Sequence, residues 1–166
     1  MKTATIRELK QELNHHSQEE LIELCLRLSK FKKENKELLT YLLFEASSES
    51  TYIENVKAEV DNYFDEINIK SYHYIKKSVR KILRIVKKYI RYSKKKETEV
   101  ELMLYFCATL KNMHPPIEKD KALFNIYKRQ VESVKKAISN LHEDLQFDYE
   151  RELEKITKTN DLNDYQ

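Results

Sequence analysis

The sequence from Val100 to Met113 is VELMLYFCATLKNM, and ten of these fourteen residues are hydrophobic. A helix that is apolar on nearly every side has to be surrounded by other elements of the fold. Just before it, Thr98 and Glu101 have the spacing of a capping box, in which two side chains satisfy free backbone N–H groups at a helix start. We therefore predict a helix over 98–113 at the centre of the molecule.

The segment that precedes this helix is amphipathic and strongly basic. Hydrophobic residues recur at intervals of three or four, which predicts a helix over 71–93 with one apolar side: Ile75, Val79, Ile82, Leu83, Val86 and Ile90. Residues 70–96 contain twelve Lys or Arg and no Asp or Glu. The cations fall on the other sides of the predicted helix.

The segment that follows begins at His114-Pro115-Pro116, which is a firm helix stop. From Leu123 to Ile156 the hydrophobic residues recur with a mean step of about 3.67, close to the period of a straight α-helix. This pattern predicts either one helix over 116–157 or a bend near Ser139-Asn140, and we favour one long helix with a kink. Residues 159–166 have too little apolar content to pack and are expected to form a flexible tail.

Three further capping boxes divide the N-terminal part of the chain, at Thr5/Glu8, Ser17/Glu20 and Thr51/Glu54. Each of them precedes hydrophobic residues at helical spacing, which predicts helices over 5–14, 17–31 and 51–67. A further helix is expected over 36–46.

The 166 residues include no Gly. Tight hairpins, phosphate-binding loops and dinucleotide-binding turns depend on Gly, so this composition excludes most β-folds and the P-loop and Rossmann classes. We predict an all-α fold: an irregular bundle of six or seven helices with a long C-terminal helix, in a single domain over 1–158. An α-solenoid-like stack is the alternative.

Cys25 and Cys107 are far apart and lie within apolar patterns, so both are expected to be buried free thiols in a reducing compartment, with a disulfide between them as the alternative. The N-terminus lacks the apolar core of a signal peptide. The longest hydrophobic run, 102–108, has seven residues, against roughly 18 needed to cross a bilayer. We expect a soluble, cytoplasmic protein.

No motif for catalysis stands out. A di-iron bundle needs two Glu-x-x-His motifs, and Glu12 with His15 forms the single match, at a predicted helix end. The other His residues lack zinc spacing, and Cys residues on apolar helix faces are inert. We therefore expect no enzyme activity, no metal and no cofactor.

The net charge of +3 hides a strong asymmetry, because residues 70–96 carry +12 while residues 1–69 carry −5 and residues 97–166 carry −4. Cations interleaved with aromatic rings can neutralise phosphates and stack on bases. The candidate binding residues are Lys77, Arg80, Arg84, Lys87, Lys88 and Arg91, and the candidate stacking residues are Tyr72, His73, Tyr74, Tyr89 and Tyr92. Three alternatives remain open for this surface: a solvated face, neutralisation by the acidic flanks, and binding of an acidic protein or a membrane surface.

The opening of the chain, from Ile6 to Ala46, resembles small helical bacterial proteins of families with unknown function. Ser17–Ile22 and Lys36–Leu43 carry this resemblance, which implies no activity, substrate or binding residue. Our first expectation for function is a non-catalytic helical interaction or scaffold module, with self-association through apolar surface on the long C-terminal helix or binding to another protein. The alternative is an accessory protein that binds nucleic acid through the basic helix within 71–96.

Overall fold

A computed structural model describes residues 1–158, and in these residues all regular structure is helical. The predicted all-α helical bundle is confirmed, with eight α-helices in place of the six or seven expected. The backbone contacts group the chain into two compact units, residues 1–44 and residues from 45 onward. The expectation of a single domain over 1–158 stays a prediction, and the expected tail at 159–166 lies outside the described residues.

The first unit contains α1 (Ile6–Leu13), α2 (Gln18–Phe31) and α3 (Lys33–Thr40), and α2 packs against α3. The capping boxes at Thr5/Glu8 and Ser17/Glu20 are confirmed, with both reciprocal hydrogen bonds formed in each. A π-helical turn, Tyr41–Glu45, follows α3 and crosses the boundary between the units. Tyr41 is the single buried residue of this unit.

The second unit contains α4 (Glu49–Asp65), α5 (Tyr72–Ser93), α6 (Lys96–Asn112), α7 (Lys121–Ile138) and α8 (Glu143–Lys158). A short 3₁₀-helix, Ile117–Lys119, follows the proline pair. The helix α6 contacts α4, α5, α7 and α8. Phe106, Cys107 and Leu110 on α6 are fully buried, which confirms the central position expected for this segment.

Two of the four predicted capping boxes, at Thr51/Glu54 and Thr98/Glu101, are wrong: each helix starts three residues earlier and has no side-chain cap hydrogen bond. The helix α4 begins at Glu49, and the Ser48 and Thr51 hydroxyls lie 2.8 Å apart. The helix α6 begins at Lys96, so Thr98 lies inside its first turn and donates to the Glu49 carboxylate of α4 at 2.6 Å.

The apolar pattern from Leu123 to Ile156 belongs to two helices, which replace the single kinked helix that we favoured. The chain turns at residues 139–142, at the break that the sequence marks. Both Asn140 and Ser139 use their side chains as donors to the Lys136 carbonyl, at 2.8 and 2.9 Å, and this competes with continuation of the helix. Leu141 is buried in the turn.

Cys25 is exposed, so the expectation that it is buried is wrong, whereas Cys107 is buried as predicted. Burial raises the pKa of the Cys107 thiol to about 12. The difference arises because α6 has neighbours on all sides, while α2 has one well-packed neighbour, α3, within its own unit.

Candidate nucleic-acid interface

The basic residues of 70–96 are presented mainly by α5, a helix of 22 residues and thus about 33 Å long. Its inner side is fixed by four residues at steps of four, three and four, all 0–1% exposed: Ile75, Val79, Ile82 and Val86. Because 3.6 residues complete one turn, the positions opposite them are forced toward solvent. The apolar pattern of this helix therefore determines which cations face outward.

Five of the six candidate residues form one exposed row, which we call the basic face: Lys77, Arg80, Arg84, Lys87 and Arg91. They follow one another at steps of three, four, three and four. The row extends over about 21 Å at 1.5 Å per residue. Within residues 1–158, none of the five forms an ion pair with a carboxylate.

The sixth candidate, Lys88, lies at the edge of the basic face and is half-buried. Its ammonium lies 4.9 Å from the ring centre of Tyr89 and 6.0 Å from that of Tyr92. These contacts are cation–π interactions, which hold the charge against the protein surface.

The acidic flanks neutralise other cations of the segment. Lys76 pairs with Asp120 on the N-terminal side of α7 at 2.9 Å, and Lys95 pairs with Glu49 at 3.0 Å. The Lys76 ammonium, followed by the Leu123 N–H, holds the pKa of Asp120 below its ordinary value. Lys76 was not among the predicted site residues, and its partner, 44 positions away in the sequence, leaves no local signal.

Contacts on both flanks and at both ends anchor α5 to the rest of its unit. The Tyr72 hydroxyl donates to the Pro116 carbonyl at 2.8 Å, and the Tyr89 hydroxyl donates to Glu59 at 2.7 Å. The Tyr52 hydroxyl donates to the Tyr89 carbonyl at 3.0 Å. Of the five predicted stacking residues, His73 and Tyr74 are exposed, while Tyr72, Tyr89 and Tyr92 are engaged in packing or hydrogen bonds.

An open groove of about 530 Å³ lies along the N-terminal half of α5. The partly exposed Leu83 contributes apolar surface to it. Its other lining residues are His73, Lys76, Lys77, Arg80 and Arg84. The groove thus combines apolar surface with cations, two features that a nucleotide base and its phosphate can use.

Comparison with protein-family models, with curated proteins and with solved structures finds no match for this chain. In residues 1–158, no helix is long and apolar enough to cross a membrane. The same residues contain no group of three or more His, Cys, Asp or Glu placed to hold a metal ion.

Proposed function

We propose that this protein is a non-catalytic helical binding module and that its ligand is the phosphate backbone of nucleic acid. The observation that carries the proposal is the basic face of α5, with five exposed cations in one row and no carboxylate partner within the described residues. Cations at i,i+3 and i,i+4 positions repel one another, so this row of unpaired charges lowers the stability of the helix. A bound anion relieves this repulsion.

The dimensions of the basic face suit a polyanion better than a small anion. Duplex DNA carries one negative charge per about 1.7 Å of its axis, so a duplex along this row offers more phosphates than the five cations can contact. Binding of this kind is electrostatic and independent of sequence.

A membrane surface is disfavoured by the burial of the apolar side of α5. Amphipathic helices that bind membranes insert their apolar side into the lipid. In this protein Ile75, Val79 and Val86 are 0% exposed within the bundle, so α5 cannot insert this side into lipid. Nucleic acid requires nothing more than charges and exposed rings.

The decisive experiment is fluorescence anisotropy with a labelled 20-base-pair DNA and a labelled 20-nucleotide RNA, both of arbitrary sequence. If all five cations contact phosphates, affinity for the duplex falls roughly 500-fold between about 50 and 200 mM salt, because each contact contributes about 0.9 to the logarithmic slope. Replacing Arg80, Arg84, Lys87 and Arg91 by Glu is expected to abolish binding with little change in melting temperature, because all four side chains are exposed.

A matched control has the same change in net charge at exposed cations of α7 and α8: Lys128, Arg129, Lys136 and Lys158, each replaced by Glu. This control leaves the basic face unchanged and is expected to bind nucleic acid within about threefold of the unmodified protein, because binding of this kind depends on the cations that contact phosphates. Absence of binding at low salt, or equal loss in the control, refutes the proposal. Preferential binding to anionic vesicles, or to an acidic polypeptide, over both nucleic acids also refutes it.

A further inference from the structure

The groove along the N-terminal half of α5 offers a ligand more than positive charge. Within the described part of the chain, four of its six lining residues are cationic and none is acidic. Most of its surface is nevertheless apolar, because Leu83 and the hydrocarbon stems of Lys and Arg side chains line it. Phosphates need only the cations. An apolar surface among the cations therefore suits a ligand that carries uncharged groups beside its phosphates.

Two exposed rings lie at the N-terminal end of this groove. His73 lines the groove, and its ring centre lies 5.6 Å from that of Tyr74, with an angle of 78° between the two planes. Tyr74 is 49% exposed and Ile69 is 60% exposed. These two are among the three well-exposed large apolar side chains in residues 45–158, the third being Phe147. Exposed apolar surface of the second unit is thus concentrated where the groove begins.

The rings and the groove lie on the same side of α5 as the basic face. His73 precedes Lys77 by four residues, and at 100° per residue it lies within about 40° of every cation of the basic face. Leu83 lies about 60° to one side of Arg80. His73 and Leu83 are ten residues apart and thus about 15 Å apart along the helix axis, which is the length of about four nucleotides at the 3.4 Å spacing of a stacked strand.

We infer that the ligand of the basic face is single-stranded nucleic acid, whose unpaired bases lie in this groove while its phosphates contact Lys77, Arg80 and Arg84. This inference rests on the proposed function and narrows its ligand to one class. Unpaired bases stack on His and Tyr rings and on the planes of Arg guanidinium groups. A duplex cannot use the groove in this way, because its bases are paired and stacked inside the double helix.

Stacking of bases adds affinity without selecting a sequence, since every base has a flat π-face. The stacking of one base on a ring raises affinity about fivefold or more. A strand with bases should therefore bind more tightly than a strand that has the same phosphates and no bases. The difference between these two strands measures the base contacts alone, because their phosphate contacts are equal in number.

Fluorescence anisotropy at about 100 mM salt tests the inference with three labelled probes: a 20-nucleotide thymidine strand, an abasic strand of the same length, and a 20-base-pair duplex. We expect the thymidine strand to bind at least about fivefold more tightly than the abasic strand, and more tightly than the duplex. Equal affinity for the two strands, or tighter binding of the duplex, overturns the inference and leaves the proposed function intact. Absence of binding to all three probes refutes the proposed function, and the inference with it.

The double variant His73→Ala/Tyr74→Ala removes both rings and leaves the basic face unchanged. It is expected to bind the thymidine strand at least about fivefold more weakly, and the abasic strand and the duplex within about twofold of the unmodified protein. The variant His73→Phe/Tyr74→Phe keeps two rings without the imidazole nitrogens or the hydroxyl, and it is expected to restore binding of the thymidine strand to within about threefold. If the Phe variant binds this strand as weakly as the Ala variant, stacking on these rings is refuted.

Phe147→Ala is the matched control, because Phe147 is an exposed ring of α8 that also has a cation beside it. Its side chain is 64% exposed, and the Arg151 guanidinium lies 5.7 Å from its ring centre. The control is expected to bind all three probes like the unmodified protein. A fivefold loss in the control would show that exposed rings in general, and not those at the groove, bind the bases. Circular dichroism verifies that the variants keep their helices, and the comparison of thymidine and abasic strands on the unmodified protein tests the inference without any variant.

Discussion

The carboxylate of Glu49 connects the ends of three helices, and its removal is expected to destabilise the second unit strongly. The Glu49 carboxylate accepts hydrogen bonds from Thr98 at 2.6 Å and from Ser93, and it pairs with Lys95 at 3.0 Å. These residues belong to the start of α4, the end of α5 and the start of α6. The perturbation is Glu49→Ala.

The expected magnitude follows from the burial of each partner. Thr98 is 1% exposed, and loss of a hydrogen bond between a buried hydroxyl and a charged acceptor costs about 1.5–3 kcal/mol. The Lys95 side chain is 51% exposed, so its ion pair contributes about 0–1 kcal/mol. Together these changes lower the free energy of unfolding by about 3 kcal/mol, which corresponds to a melting temperature roughly 6–12 °C lower.

Urea denaturation followed by circular dichroism measures the effect, and the double variant Glu49→Ala/Thr98→Val tests its cause. Replacing both partners removes the unpaired buried hydroxyl, because valine has nearly the same shape as threonine without a polar group. We expect the double variant to be more stable than Glu49→Ala by about 1–2 kcal/mol.

Glu132→Ala serves as the control, because Glu132 is exposed and, within residues 1–158, its one ion pair is with Lys135 on its own helix. Its effect is expected to stay within about 0.5 kcal/mol. If adding Thr98→Val to Glu49→Ala lowers stability further, the cost does not come from the unpaired hydroxyl, and the reasoning from burial is refuted.

Three further predictions concern single positions. Lys94 ends α5 in the left-handed conformation, with φ of 58°, so Lys94→Gly is expected to raise the free energy of unfolding by about 0.5–1 kcal/mol in urea denaturation. Cys25 is exposed whereas Cys107 is buried with its pKa raised to about 12, so a maleimide at pH 7 should label Cys25 alone in mass spectrometry and both thiols in urea. The pKa of Asp120 is lowered by Lys76. This carboxylate therefore stabilises the fold above its unfolded pKa of about 3.9, and the contribution is lost as the pH falls through the folded pKa. In urea denaturation, Asp120→Asn should lower the free energy of unfolding at pH 7 and have a much smaller effect at pH 2.

The sequence predicted the helices best where all the apolar residues on one side of a helix pack into the same core. The positions Ile75, Val79, Ile82 and Val86 follow a helical period and are buried. The outward direction of Lys77, Arg80, Arg84, Lys87 and Arg91 follows from the same period. Local pattern is sufficient for these residues because burial of one side of a helix fixes the other side.

The predictions failed for residues whose side chains bond to a partner far away in the sequence. The sequence motif at Thr98/Glu101 equals those at Thr5 and Ser17, yet Thr98 bonds to Glu49 across the bundle. The pairing of Lys76 with Asp120 is equally non-local. For α2, the pattern identifies the apolar residues but does not determine how many neighbouring helices cover them. The sequence therefore did not predict that Cys25 and Leu28 are exposed.

The fixation of α5 has a thermodynamic consequence for the binding that we propose. Tyr72 is bonded to Pro116, Tyr89 to Glu59, and Ser93 to Glu49, so the backbone that carries the basic face is already ordered before a ligand arrives. Association then freezes only the long side chains, at about 0.5–1.5 kcal/mol for each, and avoids the ordering penalty that disordered basic segments incur. The helix content of the protein should accordingly be the same with and without bound RNA.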